Sequence, residues 1–482
     1  MIKSILSEVK LKTKTKFFNN SMWGVVSNVL QNVLLTVFFI IIARSYSTKD
    51  FGNYTLSNTL YSFLLGFSSL GMGQWFIREY MHSEDKTNLI EKFFKLQFLI
   101  GILFYFLNIA FSFLLYKENQ IRTLSLIIGI NLIFDNLIYV IKSINLAELE
   151  QKKTFVILTI ETFLKFLLSC FLLIYPLNIV LLSVILISFR IISLNLFIKF
   201  GSSNKTSFKQ IITSKLSWPE FKKIIFLNWT FVVISSISII NWRVANIIVS
   251  KYLDLKAVAN YEITIKLLMV FTIIPIIVTS TIYPMLITAF KEGATKLAEL
   301  YHKAFNYLSL YGFFVFTFIW SFSDYFIPLM FGNKFIEASQ YAKEMFFVIL
   351  IFPTIFLQAN VIVAMKLEKL DMVCNIITLL LNVVFCIIGL HFIKSLTVVN
   401  YSVFGSFLVF HIIQDVILIR KKITNIKTVL SFYIISIIAF LAYTKLSVII
   451  LNYYLFIIFW TIVVVLFLFN YFLTRKKIKN AK

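Results

Sequence analysis

Residues 178–198 read NIVLLSVILISFRIISLNLFI and contain a single charged residue, Arg190. A helix that crosses the hydrocarbon core of a membrane needs about 20 mostly apolar residues, and this stretch has that length. It does not alternate between apolar and polar residues, which argues against a strand of a membrane barrel. The stretch therefore predicts a membrane-spanning helix whose one central arginine would be costly to expose to lipid.

The composition extends this prediction to the whole chain of 482 residues. Hydrophobic residues make up 59% of the chain and charged residues only 14%, whereas an ordinary soluble protein carries about 25% charged residues. Aromatic residues reach 17%, while glycine and proline are scarce. These figures exclude a disordered chain, a collagen-like repeat and an ordinary soluble enzyme.

Apolar runs of spanning length recur along the chain with short polar breaks between them. They predict an all-α polytopic membrane protein with about 14 transmembrane helices. The predicted spans are 23–43, 55–77, 96–116, 123–141, 154–174, 178–198, 224–249, 264–289, 305–329, 345–365, 372–393, 397–419, 429–447 and 449–473.

The distribution of basic residues predicts the orientation. Of the 46 lysines and arginines, 32 lie in the two tails and in the loops on the same side, and 10 lie in the opposite loops. Short cytoplasmic loops collect lysine and arginine, so we expect both termini in the cytoplasm and the protein in the cytoplasmic membrane. The net charge of +24 is thus explained by topology, and nucleic acid is not an expected partner.

An internal repeat is visible around the ends of the first and seventh spans. Arg44, Lys49 and Phe51-Gly52-Asn53-Tyr54 stand 207 residues before Lys251, Lys256 and Val258-Ala259-Asn260-Tyr261. The offset covers six helices, so the two halves share one orientation, as in transporters built from two parallel lobes. The predicted organisation is a cytoplasmic basic tail 1–22, an N-lobe 23–198 of six helices, a cytoplasmic linker 199–223, a six-helix C-lobe 224–419, two appended helices in 429–473, and a cytoplasmic basic tail 474–482.

Motifs for enzymatic chemistry are missing from the sequence. Nothing matches a P-loop, the four histidines are scattered, and the three cysteines lie inside apolar runs without zinc-ligand spacing. We therefore expect no catalytic residue, no metal site and no cofactor. The loops predicted to face outward are short, which argues against a membrane polysaccharide polymerase or ligase.

Charged residues inside the spans are the informative ones, because each costs several kcal/mol at the bilayer centre. Glu161 and Lys165 are four residues apart and share one helical face, so they can neutralise each other. Glu262 and Lys266 have the same spacing. Arg190, Arg243 and Asp135 have no such partner within their own helices. We expect the two arginines to line a cavity or to pair with other helices, and Asp135 to be a proton or cation site or the partner of Arg190 or Lys165.

Several short sequence motifs resemble those of Wzx-type polysaccharide flippases. These flippases belong to the multidrug/oligosaccharidyl-lipid/polysaccharide exporter superfamily, which also contains multidrug exporters and the lipid II flippase. The first span ends with Ala43-Arg44 followed by Phe51-Gly52 and Tyr54, and the second ends with Ile77-Arg78-Glu79. Phe331-Gly332, followed by Phe335 and Ala338, is similar to a family phrase after the ninth helix. The resemblance covers roughly residues 20–420.

The resemblance implies two six-helix lobes around a cavity that turns a polyprenyl-diphosphate-linked oligosaccharide from the cytoplasmic to the outer leaflet, for surface polysaccharides such as O-antigen. Carried over to this chain, it predicts the diphosphate site at Arg78, Lys165, Arg190 and Arg243. Asp135 and Glu161 are the expected ion or charge-partner residues. Arg44 and Lys266 are weaker candidates for the cavity, and Arg44 has a structural anchoring role as its alternative.

One departure from the family pattern concerns ion coupling. Many relatives carry an acidic residue early in the seventh helix, where this chain has Ala245. We therefore do not expect ion coupling through that position. The main alternative to the flippase is a drug or cation exporter of the same fold, with carboxylates as its key charges. The expected partners are the lipid-linked substrate, the bilayer and polysaccharide assembly proteins, and a monomer is the default oligomeric state.

Overall fold

The computed structural model describes Gly24 and residues 27–69, 71–201 and 217–465. Over these residues the regular secondary structure is helical and includes no strand. The predicted tails 1–22 and 474–482 and most of the predicted linker 199–223 lie outside the described residues. Some helical residues, Arg78 among them, are described by their backbone only.

The α-helices follow one another with short connections, and two 3-10 turns, Asn333–Phe335 and Phe346–Leu350, interrupt the chain. The first nine helices are α1 Ser27–Ser45, α2 Thr48–Ser68, α3 Met72–His82, α4 Lys86–Leu115, α5 Asn119–Gly129, α6 Asn131–Ala147, α7 Gln151–Leu172, α8 Ile179–Phe200 and α9 Trp218–Tyr252. The remaining described helices are α10 Leu255–Glu292, α11 Ala294–Phe331, α12 Glu337–Met345, α13 Phe352–Ala364, α14 Glu368–Phe392, α15 Leu396–Arg420, α16 Ile426–Ile449 and α17 Asn452–Val465.

Each predicted span overlaps helical structure. Within the described residues, 11 helical stretches are long and apolar enough to cross a membrane. Further apolar helices occupy the positions of the other predicted spans, at α2–α3, α9 and α17. The prediction of an all-α, multi-pass membrane protein is therefore confirmed.

Three predicted spans contain breaks that the apolar pattern does not show, and one of these breaks is the 3-10 turn Phe346–Leu350 inside the span predicted at 345–365. The span predicted at 55–77 is divided between α2 and α3, and Gly71 has a φ of 58° at the junction. That left-handed conformation is strained for a residue with a Cβ atom, which explains the glycine. The span predicted at 123–141 is divided between α5 and α6, with Ile130 between them.

The start of α9 shows how local sequence fixes a helix end. The Ser217 side chain accepts the N–H of Glu220, and the Glu220 carboxylate accepts the N–H of Ser217 at 3.0 Å, which forms a capping box. Lys92 of α4 adds a salt bridge to Glu220 at 3.0 Å. The hydrogen bonds from Ser217 and the charge of Lys92 lower the pKa of Glu220 to about 2.

Contacts group the chain into two compact units. The first runs through Glu262 and also includes Leu379–Leu396, and the second comprises Ile263–Thr378 and the chain from Thr397 onwards. The boundaries fall inside α10 and α14, so the predicted lobes 23–198 and 224–419 stay a prediction. The first unit has a core in which the rings of Phe76 and Phe93 stack at 4.4 Å.

In the second unit, α16 and α17 pack against α11 through aromatic residues that also form hydrogen bonds. The indole N–H of Trp460 donates to the Thr317 hydroxyl at 2.9 Å, and that of Trp320 donates to Ser447 at 3.1 Å. The hydroxyls of Tyr443 and Ser321 lie 2.6 Å apart. The two helices predicted as appended are thus fixed to this unit by contacts that satisfy their polar atoms.

Candidate functional site

Four charged side chains from three membrane helices of the first unit meet in one cluster. The guanidinium of Arg190 on α8 donates to Glu161 of α7 at 2.6 Å and forms an ion pair with Asp135 of α6. Lys165 on α7 donates to the other carboxylate oxygen of Glu161 at 2.6 Å. The hydroxyl of Tyr61 on α2 donates to Asp135. We call these four charged residues the central cluster.

The central cluster contains two carboxylates and two cations, so its formal charges cancel. The carboxylate side chains are nearly enclosed, at 5% exposed for Asp135 and 3% for Glu161. The cations are less enclosed, at 20% for Arg190 and 24% for Lys165. Buried charges require partners and hydrogen bonds, which each member has here. The partly exposed side of the cluster is therefore its cationic side.

A second ion pair in the first unit joins α9 to the start of α10. Arg243 donates to Glu262 at 3.3 Å, and their side chains are 13% and 3% exposed. The other carboxylate oxygen of Glu262 accepts the amide of Asn246 at 2.6 Å. The same amide lies 3.3 Å from the Thr59 hydroxyl of α2. Arg243 is thus held by a carboxylate and is separate from the central cluster's ion pairs.

The structure brings together Asp135, Glu161, Lys165 and Arg190 among the predicted site residues. The structure pairs Asp135 with Arg190, and both arginines of the spans have partners on other helices. Arg44 is exposed near the end of α1, and Lys266 is a partly buried residue of the second unit. The side chain of Arg78 lies outside the described residues. The roles of all these residues in transport stay predictions.

The second unit contains a buried polar cluster around His411 and Asp415, which are four residues apart on α15. His411 Nδ1 lies 3.1 Å from Asp415, and the Tyr433 hydroxyl lies 2.5 Å from that ring nitrogen and donates to Asp415 at 2.9 Å. Gln358 donates to Asp415 at 2.6 Å, and Thr354 contacts His411 Nε2 at 2.9 Å. Gln358 and Tyr433 are isolated polar residues in apolar runs, so the sequence did not indicate that both hydrogen-bond to Asp415.

Metal-binding groups are not assembled in the part of the chain that the structure describes. No group of three or more histidine, cysteine, aspartate or glutamate side chains lies close enough to hold a metal ion there. The cysteines Cys170, Cys374 and Cys386 are free thiols.

Comparisons with known proteins agree with this architecture. A sequence model of the family described as "Polysaccharide biosynthesis protein" matches residues 10–340. No curated protein sequence matches the chain significantly.

Among solved structures, an inward-facing multidrug resistance transporter of the MATE family, in the MOP superfamily, aligns with a TM-score of 0.67 at 12% identity, covering 81% of this chain and 94% of that one. The lipid II flippase MurJ, in an inward closed conformation, aligns with a TM-score of 0.66 at 17% identity. The alignment covers 92% of this chain and 98% of MurJ. A MOP superfamily transporter from Pyrococcus furiosus, described as having a binding pocket of reversed polarity, aligns with a TM-score of 0.56 at 12% identity. The alignment covers 85% of this chain and 96% of that one. At these identities the likeness shows the fold: this chain has the fold of MOP superfamily transporters.

Proposed function

Because the chain belongs to the polysaccharide biosynthesis protein family, we propose that it is a flippase for a polyprenyl-diphosphate-linked oligosaccharide. It would move this lipid across the cytoplasmic membrane by alternating access, with both termini in the cytoplasm, and supply surface polysaccharide assembly. The fold shared with membrane transporters supports transport rather than bond formation.

The central cluster is the observation that carries the proposal. A diphosphate requires cations, and a guanidinium can hold two phosphate oxygens at once. Arg190 and Lys165 are more exposed than the carboxylates that neutralise them. An anionic head group can therefore reach the cations without the protein having to bury an unpaired positive charge when the site is empty.

This arrangement predicts an exchange of partners. When a diphosphate binds Arg190 and Lys165, it takes the place of Asp135 and Glu161, which remain in an apolar interior without their cations. Uptake of protons would neutralise these carboxylates, since an isolated carboxylate in such surroundings is costly. Substrate binding and proton binding would then be linked, which supplies a route for an ion gradient to drive transport.

The test is complementation of a deletion strain, with surface polymer and the leaflet of the lipid-linked sugar as the two measurements. Arg190→Ala should abolish surface polymer and leave completed lipid-linked units in the cytoplasmic leaflet, and Arg190→Lys should retain part of the activity. Arg420→Ala, an exposed arginine at the end of α15, is the matched control. Full surface polymer with Arg190→Ala at a normal membrane level would refute the role of Arg190, and unchanged surface polymer in the deletion strain itself would refute the flippase function.

A cation or drug exporter is the second candidate, because the chain shares its fold with a multidrug resistance transporter of the MATE family. In an exporter the carboxylates bind the cationic substrate directly. Asp135→Asn would then abolish resistance to a cationic drug, and Arg190→Lys would leave it intact. Unchanged surface polysaccharide together with altered drug sensitivity in the deletion strain would support this alternative.

A further inference from the structure

A cavity of about 530 Å³ lies in the first unit at the ends of α2, α4, α5, α9 and α10. These ends belong to the side of the membrane that the loop charges predict to face outward. The charged residues that line the cavity are Lys49, Lys117, Lys251, Lys256, Glu118 and Asp254. Its four lysines and two acids leave an excess of positive charge.

The concentration of lysines is unusual for this side of the protein. The loops predicted to face outward carry 10 basic residues in total, and four of them line this one cavity. Outward loops in general are poor in lysine and arginine, so topology does not account for the grouping. All four lysines are exposed to solvent and can reach a ligand.

Helix ends add to the positive potential. Three helices begin at the cavity, α2 at Thr48, α5 at Asn119 and α10 at Leu255. The N-terminus of a helix carries partial positive charge and N–H groups without helical acceptors. The Asp254 side chain is engaged in capping α10, where it accepts the N–H of Ala257 at 2.8 Å. One of the two acids of the cavity is thereby already hydrogen-bonded.

The internal repeat places two of the lysines symmetrically. Lys49 and Lys256 are equivalent positions of the two repeated segments, 207 residues apart. The segments pack directly: a Cβ atom at Gly52 would lie 2.7 Å from the carbonyl oxygen of Leu255. Both copies of the motif therefore contribute a lysine to one cavity.

Lys251 is oriented by its neighbours. Its ammonium group donates to the carbonyl oxygen of Leu115 and lies 4.5 Å from the centre of the Tyr116 ring. The Tyr116 hydroxyl in turn lies 3.2 Å from the Ser250 hydroxyl. These contacts join α9 to the connection between α4 and α5, so the lysines of different helices surround a common volume.

We propose that this cavity binds a phosphate or diphosphate group at the outer leaflet. The ligand is a phosphorylated lipid, either a phospholipid head group or the diphosphate of the lipid-linked substrate after translocation. The second source rests on the proposed flippase function, whereas the anion site itself does not. In the second case the cavity holds the head group on the release side, at a place distinct from the central cluster.

The experiment uses the full chain in dodecyl maltoside, a detergent without phosphate, with inorganic pyrophosphate as the probe in a calorimetric titration. All variants are made in the charge-balanced Asp135→Asn/Arg190→Ala background, so that anion bound at Arg190 does not contribute and no buried carboxylate is left without its cation. We expect Lys49→Gln/Lys256→Gln to weaken pyrophosphate binding by roughly 100-fold, because each charged hydrogen bond lost costs about tenfold. Lys394→Gln, an exposed lysine on the same predicted side but away from the cavity, is the control.

A second measurement separates the two sources. Native mass spectrometry compares retention of phosphatidylglycerol and of undecaprenyl diphosphate by the parent and the double lysine variant. Selective loss of either lipid by Lys49→Gln/Lys256→Gln supports the site and identifies its source. The proposal is overturned when pyrophosphate and both lipids bind the double variant as they bind the Lys394→Gln control, or when none binds the parent. Unchanged surface polymer in the deletion strain would refute the flippase proposal and leave the pyrophosphate result unaffected.

Discussion

Arg190 contacts Glu161 at 2.6 Å across the interface of α8 and α7, although the two residues are 29 positions apart in the chain. The same guanidinium also pairs with Asp135 of α6. Three membrane helices are thereby joined through one arginine whose side chain is 20% exposed. An arginine in this position can hold the helices together and can also exchange a carboxylate for an anionic ligand.

The close approach of α2 and α10 yields a prediction about stability. Gly52→Ala places a Cβ atom about 2.7 Å from the Leu255 carbonyl oxygen, and that oxygen is part of the backbone and cannot rotate away. We expect a loss of about 1–3 kcal/mol in the free energy of unfolding. Thermal unfolding in detergent measures it, with Ser188→Ala on the exposed face of α8 as the control. Equal melting temperatures for the two variants would show that the segments are not packed as described.

The polar cluster of the second unit gives a second prediction. Tyr433→Phe removes the hydroxyl that lies against both His411 and Asp415, and leaves a buried carboxylate with one hydrogen bond fewer. The expected destabilisation is about 1–3 kcal/mol. Tyr401→Phe, which alters an exposed tyrosine of α15, should change the melting temperature little. A Tyr433→Phe protein as stable as Tyr401→Phe would contradict the described hydrogen bonds.

The start of α9 gives a prediction about pH. The pKa of Glu220 is lowered to about 2 chiefly by hydrogen bonding to Ser217 and then by Lys92. A lowered carboxylate pKa stabilises the helix start above the unfolded-state pKa, and this stabilisation is lost as the pH falls through about 2. Ser217→Ala removes the side-chain part of the capping box and should raise the pKa towards the usual value. Carbon-13 NMR titration of labelled glutamate measures it, and an unchanged Glu220 pKa would show that the Ser217 hydroxyl does not hydrogen-bond to the Glu220 carboxylate.

The sequence and the structure agree where composition alone is decisive. A run such as 178–198 has one physical solution in a membrane, because a helix satisfies its own backbone hydrogen bonds. The break at Gly71 was not predicted, since the apolar run continues through it. The partners of Arg190 could not be predicted either, because a single amino-acid sequence does not determine how α6, α7 and α8 are rotated about their axes.

The residues of the site show the same limit. The i,i+4 spacing of Glu161 and Lys165 predicted that both side chains lie on one face of the helix. In the structure Lys165 Nζ lies 2.6 Å from Glu161 Oε1. Gln358 and Tyr433 converge on Asp415 from two other helices, and no spacing within the chain relates them. Pairs within a helix can be read from sequence, whereas pairs between helices depend on packing.

Charge balance allows the structural and transport roles of Arg190 to be separated. Arg190→Ala alone leaves Asp135 without its cation and should cost about 3–5 kcal/mol, which lowers the membrane level. Arg190→Ala combined with Asp135→Asn leaves Glu161 paired with Lys165, so the formal charges cancel again. The double variant should therefore recover a normal membrane level, as shown by immunoblotting of membrane fractions.

The most direct test of the central claim is surface polymer formation by this charge-balanced variant, Asp135→Asn/Arg190→Ala, in the deletion strain. Our account predicts a normal membrane level, no surface polymer, and lipid-linked units retained in the cytoplasmic leaflet, because the guanidinium that receives the diphosphate is gone. Restored surface polymer at that membrane level would show that Arg190 serves only to balance Asp135, and would contradict the account.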